Sequence, residues 1–129
     1  MSTKKDIEKI FKHSTEENDI EAIAMTSKNG VPIASYMEKK EEHESFSTLS
    51  ATILGASEVI FSAFNKKGID NIFIGSDESI LLIKEATSDS VLSLMGKSED
   101  KEDLLKMMDE IVDKVKDIGG DSSKFEVTK

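Results

Sequence analysis

One hairpin restricts the folds open to this chain more than any other feature. Ile20-Glu21-Ala22-Ile23-Ala24-Met25-Thr26 is apolar at nearly every position. A strand with one face in water alternates apolar and polar side chains, and a strand without alternation is covered on both faces. Lys28-Asn29-Gly30 follows, and Asn-Gly is a strong hairpin signal. Val31–Met37 is the return strand and carries Pro32. Proline has no N–H to give to a ladder, so this strand belongs at a sheet edge. The hairpin thus predicts a sheet whose first strand is internal and whose second is a border.

The rest of the chain supplies the layers. Residues 3–17 read as a helix, with Thr3 as N-cap, Asp6 three residues later, and Ile7, Ile10 and Phe11 on one narrow apolar stripe. Glu38–Glu44 is a charged linker. A long helix is expected over about 44–67, ended by Gly68, with Lys66 and Lys67 in its last turn where they suit the helix dipole. Phe46, Leu49, Ile53, Ala56, Ile60 and Phe64 recur at steps of three and four and are expected to face the core. Three strands follow at Ile69–Gly75, Ser79–Glu85 and Ser90–Met95. The short turns between them imply antiparallel neighbours. A last helix over about 99–118 has Ser98 as its cap, acidic residues in its first turn and Leu104, Met108, Ile111, Val115 and Ile118 as its stripe. Gly119-Gly120 ends it. Residues 1–120 are expected to form a single domain, and residues 121–129 a loose tail.

Composition closes several functional classes. The chain has 129 residues, the size of one domain that needs no disulfide or metal staple. It has no cysteine, hence no thiolate nucleophile or cysteine zinc site. His13 and His43 are too few for a histidine-rich metal centre. A formal charge of −9 argues against nucleic acid as a partner, because a phosphate backbone is bound by clustered cations. The longest strictly aliphatic run is Ile80–Ile83, so no membrane insertion is expected. The first residues turn acidic where a secretion signal turns apolar, and the expected location is cytoplasmic. All 17 basic residues are lysine, which removes any arginine finger or bidentate guanidinium clamp.

Catalytic motifs are weak. Gly96-Lys97-Ser98 lies between a strand and a helix, like the end of a phosphate-binding loop, but Val91 stands where that motif needs its first glycine. The acidic runs at 38–44 and 99–103 lack the spacing of a calcium loop. No Gly-x-Ser-x-Gly elbow occurs, and both histidines are expected to be exposed. No catalytic residue, cofactor or metal is therefore assigned. His43 is the histidine to test first if activity is found.

The middle helix carries the feature that packing explains least. Ser47, Ala51, Gly55, Glu58 and Ser62 make a row of mostly small residues, flanked by Leu54, Val59 and Phe61. Mid-helix glycine costs about 1 kcal/mol relative to alanine. That cost is explained if another backbone approaches there, either from the same chain or from a partner. The partner reading is preferred, because the flanking residues would otherwise leave apolar area in water.

These features resemble the roadblock/dynein light chain family over residues 5–118. Residues 20–35 look like that family's first hairpin, and the Ala/Ser-rich helix with its central Gly55 and the closing three-strand meander match as well. The resemblance implies an α+β fold: a five-stranded antiparallel sheet in order 2-1-5-4-3, the middle helix on one face and the two terminal helices on the other. It implies a homodimer formed by pairing the Ile69–Gly75 edge and stacking the middle helices. The expected interface is then Ser47, Ala51, Leu54, Gly55, Glu58, Val59, Phe61, Ser62, Ile69, Asn71 and Phe73. Stand-alone prokaryotic members act on Ras-like small GTPases, so the implied function is a non-enzymatic, homodimeric regulator of such a GTPase. Two other readings remain: an adaptor or scaffold with no effect on GTP turnover, and a small-molecule sensor whose pocket is lined by Met25, Tyr36 and Met37.

Overall fold

The computed structural model describes residues 3–97 and 101–119. Its elements are α1 (Thr3–Glu17), β1 (Ile20–Ser27), β2 (Pro32–Met37), a 3-10 turn (Lys40–Glu42), α2 (His43–Ala63), β3 (Ile72–Gly75), β4 (Ser79–Thr87), β5 (Ser90–Lys97) and α3 (Lys101–Gly119). The five strands form one antiparallel sheet in order β2-β1-β5-β4-β3. Strand β1 is internal and β2 is a border, as the hairpin predicts. Gly30 closes the turn at φ 93°, and its N–H bonds to the Ser27 carbonyl at 2.9 Å. That left-handed backbone favours a residue without Cβ.

The two faces of the sheet are covered unequally. Helices α1 and α3 pack on one face and on each other. Ile7 and Phe11 of α1 and Leu104, Met108, Ile111 and Val115 of α3 meet Ile23, Met25, Leu82, Leu92 and Leu94 from the strands, and this is the main core. Because side chains alternate along a strand, Ala22, Ala24, Thr26, Val91 and Ser93 point to the other face. Helix α2 lies there over a much smaller cluster of Leu54, Ile83 and Val91.

Several boundaries differ from the sequence reading, among them β4, which runs to Thr87 rather than Glu85, and β2, which begins at Pro32 rather than Val31. Helix α2 ends at Ala63, so Lys66 and Lys67 lie beyond it and Gly68 does not stop it. The stop is Asn65, in the left-handed region at φ 61°. The Lys66 N–H reaches back to the Phe61 carbonyl at 2.9 Å and the Asn65 N–H to the Ser62 carbonyl at 3.0 Å. This pair of bonds closes a helix wherever one residue can turn left-handed, and asparagine does so with less penalty than most. Strand β3 begins at Ile72 rather than Ile69. Before it, Asp70 approaches Lys84 of β4 at 3.6 Å by a side-chain ion pair. Strand β5 runs on to Lys97. The expected cap Ser98, the acidic Glu99 and Asp100, Gly120 and the tail at 121–129 lie outside the described residues.

Candidate interaction surface

The middle helix sits the other way round from the sequence reading. Its buried residues are Ser47, Ser50, Ala51 and Leu54. Leu49, Val59, Ile60 and Phe64 are 59%, 70%, 57% and 71% exposed, and Ala56 is exposed too. Phe46 and Ile53 are half-buried at the border. The stripe Phe46, Leu49, Ile53, Ala56, Ile60 and Phe64 is therefore not the core face. Three residues expected at a partner interface, Ser47, Ala51 and Leu54, lie against the chain's own sheet and are closed to any partner.

Volume explains the reversal. The sheet beneath α2 offers Ala22, Ala24, Thr26 and Ser93, which fill little space, so a helix can cover them only by coming close. Small residues on its inner side permit that approach, and large ones there would hold it off. Thr26 Oγ1, Ser47 Oγ and Ser93 Oγ are buried in this thin layer without a hydrogen-bond partner. Burying a hydroxyl in this way works against stability, so α2 is held less firmly than α1 and α3.

The outer face of α2 is apolar and unpaired with anything else in the described chain. From Ser45 to Ala63 the only charged residue is Glu58, in a protein that is 33% charged. Glu58 turns toward Lys28 of the hairpin, 3.6 Å away, and Lys28 also holds Glu85 of β4. Burial pulls the Lys28 ammonium down. The hydrogen bond and charge of Glu85, with Glu58 behind them, outweigh this and leave its pKa above the ordinary lysine value. With the 3-10 turn before it, the helix is also long and apolar enough to cross a bilayer by length and composition, which counting aliphatic runs did not reveal. In this fold it is a covering layer of the sheet. Gly55 lies at the flank of the outer face, and a Cβ placed on it would meet nothing within 4 Å. Close packing within the chain is thus not its reason.

Of the other expected interface positions, Gly55 and Glu58 are half-buried, and Val59, Phe61 and Ser62 are exposed. Ile69 packs beneath α2 beside the Leu54 cluster. Asn71 is half-buried, with Oδ1 unpaired. Phe73 faces the opposite side of the sheet, where the Lys101 ammonium lies 4.3 Å from the centre of its ring. Ile74, 44% exposed on the open side of β3, was not foreseen.

The two sheet borders are finished differently. On β2, Pro32 removes one donor, and the Ser35 N–H is taken by the Glu8 carboxylate of α1 at 3.3 Å. Such devices discourage strand addition. Among the described residues strand β3 has only its shortness to protect it, and no strand pairs with its outer side.

The catalytic candidates are accounted for by structure. Gly96 and Lys97 belong to the β5 ladder, paired with Ile80 and Ser79, and Lys97 reaches Asp19 at 3.0 Å. A cradle for phosphate needs a loop at that point. His13 is exposed, 3.4 Å from Glu17. His43 is half-buried, with Nδ1 2.5 Å from Ser35 Oγ. This resembles a nucleophile and base, but the nearby carboxylate, Glu8, is bonded to the Ser35 backbone rather than to the ring. Among the described residues no group of three or more His, Asp or Glu could hold a metal ion. Met25 is fully buried in the main core, so it does not join Tyr36 and Met37, which line an open cavity of about 440 Å³ with Glu8, Ser35, Lys40 and His43.

Comparison with known proteins agrees with this geometry. The model of the Roadblock/LC7 domain matches residues 6–95. No curated protein matches the sequence at a significant level. Among solved structures, gliding protein MglB from Thermus thermophilus is 11% identical, with a TM-score of 0.80, covering 92% of this chain and 91% of that one. Myxococcus xanthus MglB is 17% identical, with a TM-score of 0.78 over 88% and 94%. A Roadblock/LC7 domain from Streptomyces avermitilis is 13% identical, with a TM-score of 0.79 over 84% and 93%. At these identities the likeness speaks for the fold. Together with the family match over most of its length, it places the chain in the Roadblock/LC7 domain family.

Proposed function

We propose that this protein is a non-enzymatic homodimeric module, acting in the cytoplasm, that binds a Ras-like small GTPase and regulates its nucleotide state. The observation that carries the reading is the outer face of α2. It is an uncharged apolar strip, next to an open strand edge, on an otherwise strongly acidic protein. Contiguous apolar surface of this kind marks an interaction site. Ile53 and Leu54 of α2 pack with Ile69 and Ile72 at β3, so the strip and the open edge adjoin. A two-fold axis there would bury both at once, each chain presenting the same patch to the other. The interface keeps Gly55, Val59, Phe61 and Ser62, with Glu58, Ile69 and Asn71 at its border, and leaves out Phe73, whose ring is on the other side of the sheet. It gains Ala56, Ile60, Phe64 and Ile74.

The test has two stages. Sedimentation should give a dimer, and Ile60→Glu should give a folded monomer. The dimer should then bind a small GTPase of the same genome and change its rate of GTP hydrolysis or GDP release. A wild-type monomer, or a dimer that leaves every such GTPase unbound, overturns the proposal. The absence of arginine favours a second reading, a scaffold that binds the GTPase and leaves turnover unchanged. Binding with unaltered hydrolysis and exchange would establish it.

A further inference from the structure

A second surface lies at the opposite end of α2 and goes beyond the function proposed above. Beside the N-terminal half of the helix, the sheet is left uncovered over β1, β2 and β5. The result is a groove of about 380 Å³. Its floor is Ala22, Met37 and Met95, and its walls are Phe46 and Leu49 of α2. Methionine is unbranched and polarizable, and such floors adapt to different apolar side chains. The volume is within the range of about 300–1,000 Å³ typical of ligand pockets. The rim is acidic: Glu21, Glu38 and Glu42 stand on it against the one cation Lys39.

An apolar slot with a net negative rim selects its occupant by charge. An acidic peptide, an anionic lipid surface or a nucleic acid would be repelled. A bulky apolar side chain flanked by cations satisfies both parts. We infer that this groove docks a short segment of a partner protein in which one or two large apolar residues are flanked by lysine or arginine. The apolar residues enter over Met37 and Met95, and the flanking cations meet Glu38 and Glu42 at the N-terminal end of α2 and Glu21 at the start of β1.

The groove can be read directly by ¹³C-methyl NMR of the methionines. Met37 and Met95 report the floor, and the buried core residues Met25 and Met108 serve as internal references. The probe is the capped peptide Lys-Lys-Phe-Leu-Lys-Lys. The controls are Glu-Glu-Phe-Leu-Glu-Glu and Lys-Lys-Gly-Gly-Lys-Lys. The basic apolar peptide should shift Met37 and Met95 saturably and leave Met25 and Met108 in place. Neither control should do so. Raising ionic strength to about 0.5 M should weaken the response by screening the rim. Glu38→Gln with Glu42→Gln should weaken it by about two- to fivefold per carboxylate, the scale of exposed ion pairs. Leu49→Lys, at an exposed wall position, should abolish it without unfolding the protein. Absence of the shifts, or an equal response to either control, overturns the inference. So does movement of Met37 and Met95 when the protein alone is diluted, which would identify a second copy as the occupant. Dimerisation is read separately by sedimentation, so failure here leaves the proposed function standing and the reverse also holds.

Discussion

The reversed middle helix makes a sharp prediction about two leucines. Leu54 is nearly inaccessible on the inner side of α2, in a cluster with Ile83 and Val91, whereas Leu49 points outward. Truncating a buried leucine to alanine removes its transfer energy and leaves a cavity, together about 2–5 kcal/mol. The thin layer here can partly collapse, so Leu54→Ala should cost about 3 kcal/mol. Against a total stability of about 5–15 kcal/mol, that lowers the melting temperature by roughly 10 °C for a domain of this size. Leu49→Ser and Ile60→Ser remove side chains already more than half in water. In the isolated chain each should cost only about 0.5 kcal/mol, mostly through helix propensity. Urea unfolding followed by far-ultraviolet circular dichroism, over at least a hundredfold range of protein concentration, separates the two effects. Association stabilises only the folded form and raises the midpoint as concentration rises. Leu54→Ala should lower the midpoint at every concentration and keep that slope. Leu49→Ser and Ile60→Ser should match wild type at the lowest concentration, and Ile60→Ser alone should lose the slope. Equal costs for Leu49→Ser and Leu54→Ala at the lowest concentration would refute the orientation of α2.

Other positions give independent checks. Gly55→Ala meets no atom of its own chain within 4 Å, so it should add about 1 kcal/mol to the stability of the monomer while weakening the dimer if a partner backbone approaches there. Calorimetry and sedimentation measure the two separately. Thr26→Val replaces a buried unpaired hydroxyl by a methyl of similar shape and should stabilise by about 1 kcal/mol, whereas a loss in denaturation experiments would mean that the hydroxyl is satisfied. Lys28 has its pKa raised in the folded chain, so its ion pairs contribute fully below the ordinary lysine range and are lost as pH rises through the raised value. Lys28→Met should therefore cost about 0.5 kcal/mol near neutrality, after solvent screening, and the gap from wild type should close as pH rises through the raised value.

Much of the fold was legible because it rests on local rules. Asn29-Gly30 and Pro32 marked the hairpin and its border strand, and single stripes on α1 and α3 marked their inner sides. Helix α2 failed that reading for a physical reason. It is apolar on two sides, so periodicity locates two candidate inner faces and cannot rank them. Ranking by size chose Phe46, Leu49, Ile60 and Phe64. The deciding fact was the small floor formed by Ala22, Ala24, Thr26 and Ser93, which exists only once β1 and β5 are paired. Among the described residues the side of α2 left without a partner carries Leu49, Ala56, Ile60 and Phe64, which the periodicity assigns to the core, together with Val59, Phe61 and Ser62. The helix end was misplaced for a similar reason. Asn65 and Gly68 can both adopt the left-handed backbone, and the first to do so ended the helix.

The lysine-only cation set has a consequence that kinetics can reach. In GTP hydrolysis an arginine aimed at the transferring phosphoryl group contributes about 10³–10⁵ in rate, through a planar fork that meets two oxygens together. Lysine is a point charge on a flexible, strongly hydrated stem. If this chain accelerates hydrolysis on a GTPase, the stabilising groups must be the GTPase's own, held in place by contact with the dimer. Contacts that position a partner through exposed lysines are each worth about 1 kcal/mol or less. Replacing the 17 lysines with alanine one at a time should therefore lower the stimulated single-turnover rate by no more than about tenfold at saturating dimer. Removing the water-orienting residue of the GTPase should abolish the stimulation while leaving binding intact. A single lysine of this chain whose loss costs 10³ or more at saturation would show that an ammonium can act as the catalytic cation, and the positioning argument would fail.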